Sequence, residues 1–231
     1  MKFARITSGI YGLDGLVEGG FKKNSINLVS GEPGAGKTIF AIQFLVEGCK
    51  RGEAGIYVTF EEKKDKLYED MLTFGWDLGK YEKQGLFRFL EYTPEQVKKL
   101  LVEGGGVVDT LVAKIKAKRI VIDSITSFSL LYEDELTKKE AALSLFDLIS
   151  KWNCTAVLTS QSRSIDHENL MDAALEFEVD SILVLYHSKQ KGERIRALEI
   201  IKMRGTKIPS KTFGLKIADK GISVTSEIVR L

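Results

Sequence analysis

Residues 25–40, SINLVSGEPGAGKTIF, join a short apolar strand to a helix through a turn rich in glycine. The turn, residues 31–38, fits the pattern G-x-x-x-x-G-K-[ST]. Its glycines let the backbone pass close to anionic oxygens and point several N–H groups inward, and the positive end of the following helix adds to that field. Because a strand and a helix flank the turn as this chemistry requires, the segment predicts a phosphate-binding loop rather than a chance glycine-rich turn.

Two side chains in this loop carry the chemistry of a nucleoside triphosphate. Lys37 can reach the β- and γ-phosphates, and the Thr38 hydroxyl can hold Mg²⁺. The following helix, predicted over residues 37–51, places both at its positively charged end. The loop residues expected around the phosphates are Gly31, Glu32, Pro33, Gly34, Ala35, Gly36, Lys37 and Thr38.

Composition places the chain among ordinary globular proteins. Of 231 residues, 44% are hydrophobic and 29% charged, which excludes intrinsic disorder. The net charge is only +2, so charge alone gives no reason to expect a nucleic-acid partner. Cys49 and Cys154 form no disulfide or metal-binding pattern and are typical of a reducing cytosol. With no apolar leader and no run of about 18 apolar residues, we expect a cytoplasmic protein that does not span a membrane.

Strands alternate with helices through the first two thirds of the chain. Predicted strands cover residues 25–30, 55–60, 86–90, 119–123 and 155–160, and predicted helices cover 37–51, 63–74, 93–118 with a break at 104–106, and 137–152. This alternation predicts an α/β fold with a mostly parallel twisted sheet flanked by helices. Later strands at 181–186, 197–203 and 212–224, the last with a hairpin turn at 219–221, predict antiparallel C-terminal strands. No linker or repeat divides the chain, so we expect one domain over residues 1–231.

Acidic residues follow two of the predicted strands, at the end where ligands bind in open α/β sheets. Asp123 ends the apolar strand 119–123, where a phosphate loop needs an acid to hold the water of its metal. Glu61 and Glu62 follow strand 55–60 and could polarise a water molecule as a general base. Simpler explanations exist, because Asp123 could cap a turn and the two glutamates could favour a helix N-terminus.

Gln161 and the two histidines are the other polar side chains that could belong to a site. Gln161 follows strand 155–160, where a neutral amide can sense a γ-phosphate, and a solvated loop glutamine is the equal alternative. The two histidines, His167 and His187, lie in different segments and form no ligand pair. We therefore expect neither a metal site nor a catalytic role from the histidines.

Several sequence blocks, in order over almost the whole chain, together resemble a known family. They are TSGIYGLDGL (7–16) followed by Gly19-Gly20, VTFEE (58–62), FGWD (74–77), KMRGT (202–206) and ADKGI (218–222). The first block is similar to the T-G-x-x-x-L-D-x-L-x-x-G-G lead-in of KaiC-like ATPases. The chain resembles a single-domain member of the KaiC/RadA group of RecA-fold P-loop ATPases, of the kind common in archaea. The resemblance implies ATP and Mg²⁺ as ligands.

The resemblance also implies roles for residues that match the family's motifs. Within one subunit these are phosphate binding by residues 34–39 with Ile39 included, Mg²⁺ binding by Thr38 and Asp123, catalysis by the acidic pair Glu61 and Glu62, and nucleotide contact by Thr73.

In rings of this family each ATP lies between protomers, so the resemblance implies a homo-oligomer, a hexameric ring. The positions that would contact the neighbour's nucleotide are Lys202, Met203, Arg204, Thr206 and Asp219. Lys202 and Arg204 lie two residues apart after a strand, so both charges project to one side, which suits an arginine-finger-like role. Without the family, the same two residues would be a solvated basic edge.

The chain departs from its relatives after Gln161. DNA-binding RecA relatives usually carry a glycine-rich basic loop there, whereas residues 162–180 contain six acids, one arginine (Arg163) and no glycine. Such a segment would repel a phosphate backbone, which argues against DNA binding. Glu176-Phe177 stands where the clock protein's kinase half has a phosphorylated Ser-Thr pair, which argues against an autokinase switch. We also expect no second ATPase half.

The leading hypothesis is a ring-forming ATPase with a regulatory role and an unidentified partner protein. Water would attack the γ-phosphorus in line, Lys37 and Mg²⁺ would neutralise charge, and Lys202 and Arg204 would complete the site in trans. One alternative is a recombination accessory protein acting on DNA, which a salt-dependent DNA titration would separate from the leading hypothesis. Another is an ATP-dependent scaffold that hydrolyses ATP slowly. The sequence has no Asn-Lys-x-Asp motif and no Arg-rich lid insertion, which disfavours a GTPase and a small-molecule kinase.

Overall fold

Nine strands hydrogen-bond into one sheet in the computed structural model, which describes residues 3–129, 131–161, 178–190 and 192–230. The strands are β1 (Arg5–Ile6), β2 (Phe21–Lys22), β3 (Ile26–Gly31), β4 (Gly55–Thr59), β5 (Phe87–Glu91), β6 (Arg119–Asp123), β7 (Thr155–Gln161), β8 (Ser181–Gln190), β9 (Glu193–Met203), β10 (Thr212–Ala218) and β11 (Gly221–Ile228). The helices are α1 (Leu13–Leu16), α2 (Lys37–Lys50), α3 (Lys64–Leu72), α4 (Leu78–Lys83), α5 (Pro94–Val102), α6 (Gly106–Ile115), α7 (Ile125–Ser129) and α8 (Glu135–Lys151).

The sheet is parallel over most of its width. Its order is β11-β10-β9-β8-β3-β7-β6-β4-β5, and all pairings from β8 to β5 are parallel. Strands β9, β10 and β11 continue the sheet antiparallel, while β1 and β2 form a separate two-stranded ladder. The α/β prediction, with a mostly parallel sheet and antiparallel C-terminal strands, is confirmed. All carboxyl ends of the parallel strands meet at one edge, which we call the carboxyl edge, and the opposite one is the amino edge.

Each face of the sheet has its own apolar layer. Along β3 the side chains alternate, so Val29 packs in the layer that contains α2, and Leu28 packs in the layer that contains α8. Helices α3 and α4 also cover the α2 face, and α5 and α6 cover the α8 face. All six residues of β3 are buried, as expected for a central strand covered on both faces. Burial of one large apolar side chain is worth about 1.5–3 kcal/mol, so these layers hold β3 and the loop after it in place.

Helix starts follow their capping residues. A capping box precedes α5, since the Thr93 hydroxyl accepts a hydrogen bond from the Gln96 N–H and the Thr93 N–H donates to the Gln96 side chain. Helix α8 begins at Glu135, two residues before the predicted start, because Asp134 accepts a 2.9 Å hydrogen bond from the Thr137 N–H. Over the described ranges, no helix combines the length and apolar character needed to cross a membrane.

Differences from the predicted elements concern short or polar segments. Helices α4 and α7 and strands β1 and β2 span six residues or fewer, too few to carry a periodic signal. Strands β8 and β9 extend beyond their predicted ranges, because polar residues pair with each other, as His187 does with Arg196. Cross-strand hydrogen bonding, rather than apolar alternation, maintains these extensions.

A buried arginine ties the amino edge of the sheet to helix α2. Arg119 begins β6 and is 0% exposed. Its Nη1 donates to the carbonyl oxygens of Thr7 at 2.9 Å and Phe44 at 2.8 Å, and its Nε donates to Glu53 at 2.9 Å. The guanidinium also lies 4.6 Å from the centre of the Phe44 ring. The side chain therefore joins the N-terminal segment, α2 and β6 at one buried point.

Candidate functional site

The predicted phosphate loop connects the carboxyl end of β3 to the start of α2. Gly34 and Gly36 have φ angles of +79° and +104°, which L side chains rarely adopt. A Cβ on Gly36 would lie 2.9 Å from Ile217 Cδ1, and a Cβ on Gly34 would lie 3.2 Å from His187 Nδ1. Glycine is therefore favoured at both positions by conformation, and a side chain at position 36 would also displace the end of Ile217. Ala35, between them, is fully buried and belongs to the α2-face layer.

The side chain of Lys37 folds back across the inner side of the phosphate loop. Its Nζ donates to the carbonyl oxygens of Gly31 at 2.8 Å and Glu32 at 3.0 Å. Burial lowers the pKa of Lys37, and the negative charges of Asp123 and Glu32 act in the opposite direction. The ammonium group is thus partly desolvated at the centre of the loop, where it can pair strongly with an anion.

Asp123 ends β6 at the carboxyl edge and accepts three hydroxyl hydrogen bonds. Thr38 Oγ1 and the Tyr57 hydroxyl each donate to Oδ2 at 2.8 Å, and Thr159 Oγ1 donates to Oδ1 at 2.5 Å. The residue is 8% exposed. The structure therefore brings together Thr38 and Asp123, the two residues predicted to serve a metal.

The acidic pair follows β4, and the two carboxylates have different surroundings. Glu61 and Glu62 lie before helix α3, and both backbone N–H groups donate to Thr59 Oγ1, at 3.3 and 3.1 Å. The exposed Glu61 carboxylate accepts a hydrogen bond from the Ser127 hydroxyl. Glu62 is half-buried, and burial, followed by the negative charge of Asp123, raises its pKa. Glu62 therefore holds a proton more strongly than an ordinary glutamate does.

A cavity of about 540 Å³ joins these elements at the carboxyl edge. Predicted site residues in its lining are Pro33, Gly34, Gly36, Lys37, Thr38, Ile39, Glu61, Glu62, Asp123 and Gln161. Gln161 ends β7 beside Gly31 in the parallel ladder, and its N–H donates to Thr126 Oγ1 at 2.8 Å. Residues that sequence reasoning missed also line it: Ser124, Arg196 and Ile217.

Arg196 reaches the phosphate loop from the extended part of β9. Its Nε donates to the Gly34 carbonyl at 3.1 Å, and its cross-strand partner His187 lies against Gly34 on the same loop. Both residues fall in the polar strand extensions, where no apolar alternation marks a strand. The sequence therefore carries no sign that residues 187 and 196 pair. It also carries no sign that Arg196 joins Lys37 as a second positive charge at the site.

Four of the residues expected to contact a neighbour's nucleotide lie at the amino edge. Met203 pairs with Ser181 at the start of β8, and the Arg204 N–H donates to the Asp180 carbonyl at 2.8 Å. Thr206 Oγ1 accepts a 2.8 Å hydrogen bond from Arg5. Lys202 lies six positions beyond Arg196 along β9, which corresponds to roughly 20 Å. Lys202, Met203, Arg204 and Thr206 are therefore far from the phosphate loop of their own chain.

Asp219 and Thr73 lie elsewhere. Asp219 is exposed in the β10–β11 turn, and the flanking Ile217 and Ile222 pack on Gly36 of the phosphate loop. The structure thus separates Asp219 from the four amino-edge residues with which the resemblance groups it. Thr73 follows the last residue of α3 as its C-cap, and its hydroxyl donates to the Asp70 carbonyl at 2.6 Å. The rings of Phe74 and Trp76, just beyond it, stack. Trp76 packs under Gly221, so this segment adjoins the Asp219 turn.

Some sequence-based predictions lie outside the described residues. They concern Arg163, His167 and the Glu176-Phe177 pair, within residues 162–177.

The donor set at Thr38 and Asp123 fits Mg²⁺. Hydroxyl and carboxylate oxygens are the protein ligands and water-holding groups that this hard cation prefers. In the part of the chain that the structure describes, no three or more His, Cys, Asp or Glu side chains converge into a metal cage. A cation at this site would therefore take most of its ligands from phosphate oxygens and water, as Mg²⁺ commonly does.

The parallel sheet, the phosphate loop and the acid at the end of β6 define a P-loop ATPase of RecA-like fold. The KaiC ATPase family model matches residues 6–228, and the chain belongs to this family. A UPF0273 protein of Pyrococcus furiosus is 35% identical over 95% of this chain and 93% of its own length. The circadian clock protein KaiC3 of Synechocystis is 32% identical over 94% of this chain but only 44% of its own length. The crystal structure of a KaiC-like protein from Pyrococcus horikoshii superposes with a TM-score of 0.85 and 34% identity, covering 97% of this chain and 100% of that one.

Proposed function

We propose that the chain is a single ATPase domain that binds ATP with Mg²⁺ at its phosphate loop and hydrolyses it to ADP and phosphate. The observation that carries this proposal is the 2.8 Å hydrogen bond from Thr38 to Asp123. It joins the end of the phosphate loop to the acid of a separate strand, and Glu61 and Glu62 line the same cavity. A phosphate loop, a metal-facing acid and a base are the parts that phosphoryl transfer to water requires.

The loop would bind the triphosphate and its cation. The N–H groups of residues 34–39 would surround the phosphate oxygens, and Lys37 would place its positive charge next to the γ-phosphate. Thr38 and Asp123 would hold Mg²⁺, which when bound neutralises charge on the phosphate oxygens. Arg196, which already contacts Gly34, supplies a second cation from the same chain.

Glu62 is the better candidate for the base that accepts the proton of the attacking water. Its pKa is raised by burial and by Asp123, so its carboxylate holds a proton more strongly than an ordinary glutamate does. Glu61 accepts a hydrogen bond from the Ser127 hydroxyl and would orient either the attacking water or Glu62. Gln161 would contact the γ-phosphate from the end of β7.

Subunits would share each site. The amino-edge position of Lys202 and Arg204 keeps them from their own phosphate loop, and the resemblance to the KaiC family supports delivery to a neighbour's ATP. Met203 and Thr206 would contact the same shared nucleotide. In a closed hexameric ring, every nucleotide site would receive Lys202 and Arg204 from a neighbouring subunit.

Asp219, exposed in the β10–β11 turn, would contact the nucleotide of a neighbour, and Thr73, directly after α3, would also contact a nucleotide. The similarity to the circadian clock protein KaiC3 supports a regulatory role. A cytoplasmic location stays a prediction from the sequence.

Sedimentation with and without ATP and Mg²⁺, run beside phosphate release, tests the proposal. We expect the nucleotide to favour assembly, because it would form part of the interface, and we expect phosphate release to follow the assembled fraction. Assembly without phosphate release would favour the scaffold alternative. Failure to bind ATP would remove the proposal altogether.

A further inference from the structure

Two hydroxyls besides that of Thr38 bind the Asp123 carboxylate, one from the strand on each side of β6. In the sheet order β7-β6-β4, Tyr57 belongs to β4 and Thr159 to β7. The Tyr57 hydroxyl donates to Oδ2 at 2.8 Å and Thr159 Oγ1 donates to Oδ1 at 2.5 Å. Both donors are 0% exposed. Neither residue lines the nucleotide cavity, so their effect on it must pass through Asp123.

The register of the sheet explains how Tyr57 reaches the carboxylate. Tyr57 pairs with Val121 and Thr59 pairs with Asp123 in the β4–β6 ladder. Residues two positions apart in a strand project to the same face, so Tyr57 points to the same face as Asp123, one step below it. The length of the phenol side chain bridges that step. A shorter side chain at position 57 would not contact Asp123.

The packing around Tyr57 holds its hydroxyl in one place. Its ring stacks on Phe89, with ring centres 5.8 Å apart. Burial, followed by the negative charge of Asp123, raises the pKa of Tyr57 well above its usual value. The phenol therefore keeps its proton at neutral pH and acts as a hydrogen-bond donor to the carboxylate.

We propose that Tyr57 and Thr159 are positioning residues that orient the Asp123 carboxylate toward Thr38 and toward the water of the Mg²⁺ that accompanies ATP. The inference rests on the proposed function and extends it to residues that no sequence motif marks. Oδ2 accepts hydrogen bonds from both Thr38 and Tyr57, so loss of the phenol hydroxyl would leave Thr38 as the only donor to that oxygen among the described residues. Removal of such outer partners of a metal site typically costs about 10–100-fold in metal affinity.

The test compares ATP affinity with Mg²⁺ and with EDTA, by calorimetry, for the wild type and Tyr57→Phe. The variant removes one oxygen and keeps the ring. We expect about tenfold weaker ATP binding in Mg²⁺ and unchanged binding in EDTA, because the phosphate loop itself is untouched. The matched control is Tyr186→Phe on β8. It removes a partly buried hydroxyl that donates a 2.8 Å hydrogen bond to Glu199 on β9. This control should bind ATP as the wild type does in both conditions.

A second pair of variants keeps the test decisive if Tyr57→Phe fails to fold. Thr159→Val should show the same selective loss of Mg²⁺-dependent binding, and Thr159→Ser, which keeps the hydroxyl, should restore it. Suppose that ATP binding by the wild type depends on Mg²⁺ while Tyr57→Phe and Thr159→Val bind ATP with wild-type affinity in both Mg²⁺ and EDTA. In that case the positioning role is wrong and the proposed function stands. Equal losses in Mg²⁺ and EDTA would show a general structural effect and also overturn the inference. A wild type without Mg²⁺-dependent ATP binding would overturn both proposals.

Discussion

Thr38 donates a 2.8 Å hydrogen bond to Asp123, a residue 85 positions later in the chain. The strand that leads into the loop of Thr38, β3, and the strand that ends at Asp123, β6, are not neighbours, because β7 lies between them in the sheet. The contact forms because α2 starts at the carboxyl edge, where the end of β6 also lies. The proposed binding of Mg²⁺ together with ATP depends on this contact between a loop and a strand end.

Lys37→Ala should weaken ATP binding about 10- to 100-fold, because hydrogen bonds to charged groups are worth about 1.5–3 kcal/mol each. The partly desolvated ammonium inside the loop is the group lost. Calorimetry measures the change, and Lys50→Ala, at the other end of the same helix, is the control that should bind normally. Unchanged affinity in Lys37→Ala would be incompatible with a phosphate loop at residues 31–38.

Glu61→Gln combined with Glu62→Gln should keep ATP binding and lower hydrolysis about 10²–10⁴-fold, since an amide cannot accept the proton of water. Of the single variants, Glu62→Gln should cause the larger loss. Single-turnover phosphate release and nucleotide binding separate the two effects. Glu69→Gln on α3 is the control outside the cavity. Wild-type turnover in the double variant would place the base elsewhere.

The pH dependence of hydrolysis should report Glu62. Its raised pKa means that the catalytic carboxylate loses its proton, and activity rises, at a higher pH than for an ordinary glutamate. The positive charge of Lys66 acts in the opposite direction, so Lys66→Ala should move the acidic limb of the pH–rate profile to higher pH. The shift should shrink at high salt. Lys83→Ala is the matched lysine control. If Lys83→Ala shifted the acidic limb as much as Lys66→Ala does, a local effect of Lys66 on Glu62 would be excluded.

Arg204→Ala should lower hydrolysis strongly while leaving each phosphate loop intact, because trans arginine fingers are worth roughly 10³–10⁵-fold in related reactions. Mixing Arg204→Ala with Lys37→Ala chains should restore part of the activity, since some interfaces then pair an intact loop with an intact arginine. Mixing Arg204→Ala chains with chains of the Lys37→Ala/Arg204→Ala double variant should restore no activity. If exchange of subunits is verified and Arg204→Ala alone is fully active as a monomer, the shared-site proposal is wrong.

Gly48→Ala should lower the free energy of unfolding by about 1–3 kcal/mol, the usual cost of overpacking. A Cβ there would lie 2.5 Å from Arg119 Cδ, and Arg119 is buried and held by hydrogen bonds to three residues. Urea titration measures the difference. Gly15→Ala, where a Cβ meets nothing within 4 Å, should be neutral or slightly stabilising. An equally stable Gly48→Ala would mean that Arg119 moves more freely than its contacts indicate.

The amino-acid sequence by itself determined the parts of the protein that depend on nearby residues. The phosphate loop at 31–38 needs only a strand, a turn and a helix in succession, so its pattern predicted its shape. The alternation of apolar segments in the same way predicted the parallel sheet, and the apolar run before Asp123 predicted an acid at a strand end.

The tertiary structure alone decided which side chains meet across the sheet. Tyr57 and Thr159 bind Asp123 because β4 and β7 flank β6, an order set by packing between distant segments. Arg196 reaches Gly34 through a polar strand extension with no apolar signal. Asp219 and Arg204 lie at opposite edges because β9 and β10 run antiparallel. Strand order and register are set by long-range burial and hydrogen bonding, which no local pattern records.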